Sequence, residues 1–299
     1  MARRRKGRKI DGWVILDKPS GLSSAAAVAR VRRALEAQKA GHAGTLDPLA
    51  TGVLPIALGE ATKTVPFIMD ASKEYEFTLA WGEARDTDDA EGAVTAHSDV
   101  IPDAAAIDAA LGAFAGSIAQ VPPAYSALKV EGMRAYALAR AGKAPALAAR
   151  TVTIERLERL DHDPAARRTR FQVRCGKGTY IRSLARDLAL ALGSVGHLAA
   201  LRRTRVGPFS IARAISLEML EELGHGARAE AKVLPVMTAL DDIPALAVTE
   251  AEAARLKQGQ SLRLPTATEG RLCILCGDRP VAIAEARHGR VRPLRVFNL

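Results

Sequence analysis

Residues Tyr75 to Trp81, YEFTLAW, alternate apolar and polar side chains without a break, so Tyr75, Phe77, Leu79 and Trp81 share one face of a predicted half-buried strand. A shorter apolar run, Trp13 to Leu16, reads as a buried strand, and Lys18-Pro19-Ser20-Gly21 behind it is a turn signal. Ser23 or Ser24 then caps a predicted helix that carries Val28, Val31 and Leu35 on one face and stops near Gly41. From Gly41 to Gly59 the chain is rich in Gly, Pro and Thr and has no strong period, which predicts an irregular loop with a purpose. The acidic stretch GEARDTDDAEG after Trp81 reads as a second loop. Asp103 caps a helix bearing Ile107, Leu111 and Phe114, the Pro-rich VPPAYSALK follows, and a short helix around Tyr136 ends at Gly142. Strands are predicted over Val152 to Leu160 and Arg170 to Cys175, and a helix over Ile181 to Leu192 aligns Leu184, Leu188 and Leu192 before Gly193 halts it.

The C-terminal stretch changes character. Thr249 and Glu252 form a capping box for a short helix that ends before Gly259. Three or four short strands follow, from SLRLP, RLCILC, PVAIAEA and VRPLRVF, and their close spacing predicts a small β-barrel or sandwich. Strands and helices without a regular βαβ repeat place the rest in the α+β class, with a mixed or antiparallel sheet. The reading divides the chain into a basic disordered tail at 1–9, a main domain at 10–242 and a small domain at 243–299.

Composition narrows the class. Lys and Arg outnumber Asp and Glu by 43 to 33, a net charge of +10 that favours a polyanionic partner without saying which. No stretch approaches the roughly 20 apolar residues of a membrane span, and MARRRKGRKI has no apolar segment behind it to make a secretory signal. Three cysteines, Cys175, Cys273 and Cys276, argue against a disulfide framework and for a reducing compartment, so a cytoplasmic location is expected. Cys273 and Cys276 form a C-x-x-C with no second pair to complete a zinc site, and they lie in a buried strand. No phosphate-binding glycine motif and no His/Cys cluster is present, so neither metal nor cofactor is expected.

The most informative segment is Gly41 to Gly59, where Asp47 sits between Leu46 and Pro48 among small residues. Glycines let a bulky ligand approach the backbone, and Pro48 fixes φ just after the acid. On spacing alone the commoner reading of Asp47 is an Asp stabilising a turn before proline. The stretch AGHAGTLDPLATGVLPIALGEATK, Ala40 to Lys63, resembles the signature of the bacterial tRNA pseudouridine synthase B (TruB) family. LDKPSGLSS, KEYEF around Tyr75, PPAYSALK at Pro122 to Lys129, CGKGTYIRSLARDLA at Cys175 to Ala189 and HLAALRRTRVG at His197 to Gly207 follow in the family's order.

The resemblance implies a mixed, largely antiparallel pseudouridine synthase-like sheet flanked by helices, with a PUA-like RNA-binding barrel at the C-terminus. It implies isomerisation of uridine-55 in the T loop of tRNA by base flipping, without cofactor. Asp47 is then the nucleophile or base, Arg182 the guanidinium that pairs with it, and Tyr75 and Tyr180 the rings at the uracil. His42 takes the space vacated by the flipped nucleotide, Leu201 touches the base, and Lys18, Lys63, Arg202 and Arg203 meet phosphates. Asp89 falls at the position of an acidic residue that rearranges on RNA binding, although Asp88 beside it blurs the match. The implied partner is tRNA, through the T stem-loop and the acceptor end, with no membrane, no obligatory protein partner and a monomeric state. Two rival readings are a non-catalytic RNA-binding protein and a synthase that needs a guide RNA and protein partners.

Overall fold

Why the YEFTLAW alternation holds is visible once its neighbours are placed. A computed structural model describes residues 7–126, 128–130, 133–134, 147–224, 226–264 and 268–299. Six strands carry the main sheet: β1 Gly12–Lys18, β2 Thr51–Leu58, β3 Lys73–Trp81, β4 Arg150–Asp163, β5 Arg168–Cys175 and β6 Gly196–Val206. Their order is β1-β2-β6-β3-β5-β4, with Ile215–Ser216 outside β1 and Gly116–Gln120 outside β4. β2 runs parallel to β6, and Ile215–Ser216 parallel to β1, while the other neighbours along this path are antiparallel. The sheet is mixed and largely antiparallel, as expected.

Helix α1, Ser24–Ala34, and helix α2, Ile181–Ala191, cover one face. Ser23 caps α1 by accepting from the Ala26 N–H, and Ala27 and Val31 join Val14, Leu16, Leu54 and Ile56 in the core. Leu184 and Leu188 of α2 meet Phe77, Leu79 and Phe171, and the Phe77 and Phe171 rings stack at 5.1 Å. Burial of each such Leu, Ile or Phe contributes about 1.5–3 kcal/mol relative to exposure. The opposite face carries a second core over β1, β2 and the Val206 end of β6. There Trp13, Ile15 and Val53 pack with Cys273, Ile283 and Phe297 from the C-terminal unit. That unit is a five-stranded half-barrel beginning at Ala245, with the Thr249–Glu252 capping box in place.

Four expectations change. The Gly41 to Gly59 segment is not loop throughout, because β2 occupies Thr51–Leu58 at the sheet's centre. A strand covered on both faces has no polar side to alternate with, so TGVLPIAL carries no period of two. Pro55 is tolerated because it falls between the β6 pairing at Thr51–Gly52 and the Ala40–His42 pairing at Ile56–Leu58. The acidic loop contains a hairpin, Glu83–Arg85 with Val94–His97. Helix α1 ends at Ala34, where Glu36 turns left-handed at φ 52° and the chain re-enters as strand Ala40–His42. Gly7, Arg8 and Lys9 are tied rather than disordered: the Arg8 N–H donates to the Glu36 carbonyl (2.7 Å), and Arg8 pairs with Glu230. The predicted helix around Tyr136 lies outside the described residues. No helix among the described residues is long and apolar enough to cross a membrane.

Candidate active site

The loop between Ala40–His42 and β2 is fixed at both of its shoulders. Ser24 Oγ donates to the Leu46 carbonyl (2.9 Å) and accepts from the Leu46 N–H (2.8 Å), which ties the residue before Asp47 to the start of α1. Just after Asp47, the Pro48 carbonyl accepts from the Gly21 N–H (2.8 Å) and from Lys18 Nζ (3.1 Å). Asp47 is thereby held with 38% of its side chain exposed, while the backbone on either side is immobilised.

Facing it is the first turn of α2. Tyr180 precedes the helix and exchanges two bonds with Gln120: its N–H donates to Oε1 (2.8 Å) and its carbonyl accepts from Nε2 (3.1 Å). This anchor aims Arg182 back across the cavity. Its Nε lies 3.1 Å from Asp47 Oδ2 and 3.6 Å from Asp89 Oδ2, and its two Nη atoms donate to the carbonyls of Thr87 (2.9 Å) and Tyr125 (2.8 Å). A cation in a first helical turn opposes the macrodipole, and here two carboxylates and two carbonyls offset that conflict. Asp89 faces Arg182, whereas Asp88 pairs with Arg186 at 2.8 Å, which separates the two adjacent acids.

Asp47, Tyr75, Tyr180, Arg182, Leu201 and Arg203 line one cavity of about 310 Å³, within the usual range of about 300–1,000 Å³ for ligand sites. Burial pushes the phenols of Tyr75 and Tyr180 upward, so both stay neutral at physiological pH. Lys73 also lines the cavity and was not singled out from sequence. The alternation Lys73, Tyr75, Phe77 on β3 carried that signal. Its Nζ donates to the carbonyls of Met69 and Ala71 at 2.5 Å each, and desolvation lowers its pKa to about 8.

Other predicted contacts are placed differently. His42 stands on the short strand before the loop and is not among the cavity-lining residues; burial lowers its pKa, and its Nδ1 has no partner among the described residues. Three of the four predicted phosphate contacts are engaged by groups of the protein itself. Lys18 is 0% exposed, and its ammonium is consumed by the carbonyls of Pro19, Leu22 and Pro48. Lys63 bonds Glu60 (2.6 Å) and the Val296 carbonyl (2.7 Å), tying the two units together. Arg203 is 1% exposed; it donates to the carbonyls of Val53, Gly44 and Thr45 and hydrogen-bonds the Tyr75 phenol. Arg202 remains partly exposed, but it makes a two-pronged contact with Asp17 at 2.8 and 3.1 Å and does not line the Asp47 cavity. Among the described residues no group of three His, Cys, Asp or Glu side chains is placed to hold a metal, and all three cysteines are free thiols.

Comparison with known proteins adds an independent line. The description "TruB family pseudouridylate synthase (N terminal domain)" matches residues 32–181, "tRNA pseudouridylate synthase B C-terminal domain" matches 182–243, and "Pseudouridine synthase II TruB, C-terminal" matches 244–297. A tRNA pseudouridine synthase B from Caulobacter vibrioides is 55% identical, covering 100% of both chains. One from Rhodospirillum rubrum is 52% identical, again covering 100% of both. Among solved structures, a Cbf5-Nop10-Gar1 complex superposes with a TM-score of 0.73 at 29% identity, over 96% of this chain and 83% of that one. An H/ACA RNP bound to a substrate RNA containing 2'-deoxyuridine gives 0.73 at 26% identity, over 100% and 92%.

Proposed function

Because the chain belongs to the TruB family of pseudouridine synthases, we propose that the uridine it isomerises in tRNA is position 55 of the T loop, everted into the cavity beside Asp47. Its activity is conversion of tRNA uridine to pseudouridine, an isomerisation. The bond from C1′ to N1 breaks, one from C1′ to C5 forms, and a proton leaves C5 while N1 gains one. Nothing is oxidised, and no group is consumed. Asp47 carries this chemistry as nucleophile or base toward the nucleoside, with the Arg182 guanidinium 3.1 Å from its carboxylate. The phenols of Tyr75 and Tyr180 receive the extruded ring, and each stacked base is worth about 1–3 kcal/mol against the unstacking it requires. Leu201 closes the apolar side of the cavity.

The observation that carries this reading is the half-exposed Asp47 carboxylate, 3.1 Å from a buried guanidinium within a cavity that two phenols share. The half-barrel adds a second RNA-binding surface directed at the acceptor end, and the chain acts alone, without protein partners of the kind the Cbf5-Nop10-Gar1 complex contains. The test is to incubate the purified chain with an unmodified T stem-loop transcript and map pseudouridine at single-nucleotide resolution. Wild type modifies position 55 unaided; Asp47→Asn binds the transcript and forms no product. Turnover by Asp47→Asn would remove Asp47 from the chemistry, and an inert wild type would mean a guide or partner is required.

A further inference from the structure

Arg203 is a buried cation that the reaction as described does not use. It sits on β6, between Gly52 of β2 and Tyr75 of β3, and is 1% exposed. Its Nε donates to the Val53 carbonyl (2.7 Å), and its Nη atoms approach the carbonyls of Gly44 (3.0 Å) and Thr45 (3.4 Å). Gly44 and Thr45 precede Asp47, and Val53 follows it. One planar group therefore joins both arms of the loop that presents the carboxylate.

The backbones of β2 and β6 approach closely here: a Cβ on Gly52, whose φ is +97°, would lie 2.2 Å from the Arg203 carbonyl oxygen. Among the described residues Arg203 forms no ion pair. A buried charge held by carbonyl dipoles and the Tyr75 phenol, with no carboxylate, is a poor stability device, because an apolar side chain of similar volume avoids its desolvation. Its retention points instead to what the dipoles belong to. A guanidinium spreads its donors over a rigid planar fork that spans Val53, Gly44 and Thr45 at once, a reach that a compact ammonium lacks. Its charge also reaches Lys18, Lys73 and His42, each of whose pKa it lowers in addition to burial.

We propose that Arg203 is a positioning residue that fixes the two arms of the Asp47 loop at one spacing and so sets where the carboxylate stands. The proposal rests on Asp47 being the reacting group. The experiment compares Arg203→Lys, Arg203→Met and Arg203→Ala for kcat, KM with tRNA, and hydrogen exchange of the amides at residues 43–53. Misplacement of a reacting group by about 1 Å costs on the order of 100-fold in rate, so kcat falls by about that factor while KM stays within about threefold. Exchange in the loop quickens while β3 keeps its protection, and methylguanidinium, not methylammonium, restores turnover to Arg203→Ala. If Arg203→Met does not fold, Arg203→Lys decides alone: wild-type kcat there overturns the proposal. A raised KM with unchanged kcat and a shallower salt dependence overturns it too, since that is how a phosphate contact behaves. Turnover by Asp47→Asn would defeat the underlying reading, whereas loop exchange would still report whether Arg203 holds the loop.

Discussion

Replacing Lys18 by Met separates the charge of a buried lysine from its bonds. Lys18 is 0% exposed and donates to the carbonyls of Pro19 (2.8 Å), Leu22 (2.7 Å) and Pro48 (3.1 Å). Burial lowers its pKa from 10.5 to about 8, against a partial upward pull from Asp47. Between these values the unfolded chain binds a proton that the native state has released, so stability rises with pH across that window. The contribution is complete above pH 10.5 and is lost as pH falls through 8. At about 1.36 kcal/mol per pK unit, it grows by about 2.5 kcal/mol between pH 7 and 10. The raw stability curve mixes this with Lys73, which behaves alike, and with Cys175 and Cys273, whose pKa values of about 11 act oppositely above 9. The difference between wild type and Lys18→Met isolates it. Loss of donors to three carbonyls adds an offset of about 1–3 kcal/mol per acceptor, independent of pH. Urea unfolding of both proteins at pH 7, 8, 9 and 10 should show their stability gap widening by about 2.5 kcal/mol. A gap that stays constant would mean the ammonium is not desolvated, and the reasoning fails.

Arg182→Met should destabilise the fold by about 3–5 kcal/mol, because Asp89 is left buried without a countercharge, and should abolish pseudouridine formation. Adding Asp89→Ala should recover much of the melting temperature and none of the turnover; recovery of neither would mean that the Asp89 pairing is not the source of the loss. Affinity for tRNA, measured by filter binding, should fall at least about tenfold between 50 and 200 mM salt if several phosphates are contacted. A flat response would detach the +10 net charge from RNA binding.

Local rules read well where one side of an element faces water. The β3 alternation, the Ser23 and Asp103 caps and the Thr249–Glu252 capping box all appear where their residues predict. They fail at the sheet's centre. β2 is apolar on both faces, so the period is absent, and its glycines and Pro55 imitate a loop. β6 hides behind the run LRRTR, because Arg203 is turned inward and Arg202 outward on a strand that its own hydrophobicity does not announce. Both strands owe their position to partners far along the chain, which no local window contains.

The same limit explains the cations. A lysine or arginine is by default a solvated charge, and on that basis Lys18, Lys63 and Arg203 counted as phosphate contacts. What draws Lys18 and Arg203 inward is the shape of the Asp47 loop: a segment of Gly, Pro and Thr turns its carbonyls toward the protein interior with no strand ladder to receive them. Gly44, Thr45 and Pro48 then need donors from outside the loop, and a long cationic side chain on an adjacent strand reaches several at once. An irregular loop that presents a reactive carboxylate therefore carries a structural demand for buried cations beneath it. The aspartate is legible from its motif, whereas the residues that hold it in place follow from which carbonyls the turn leaves unpaired.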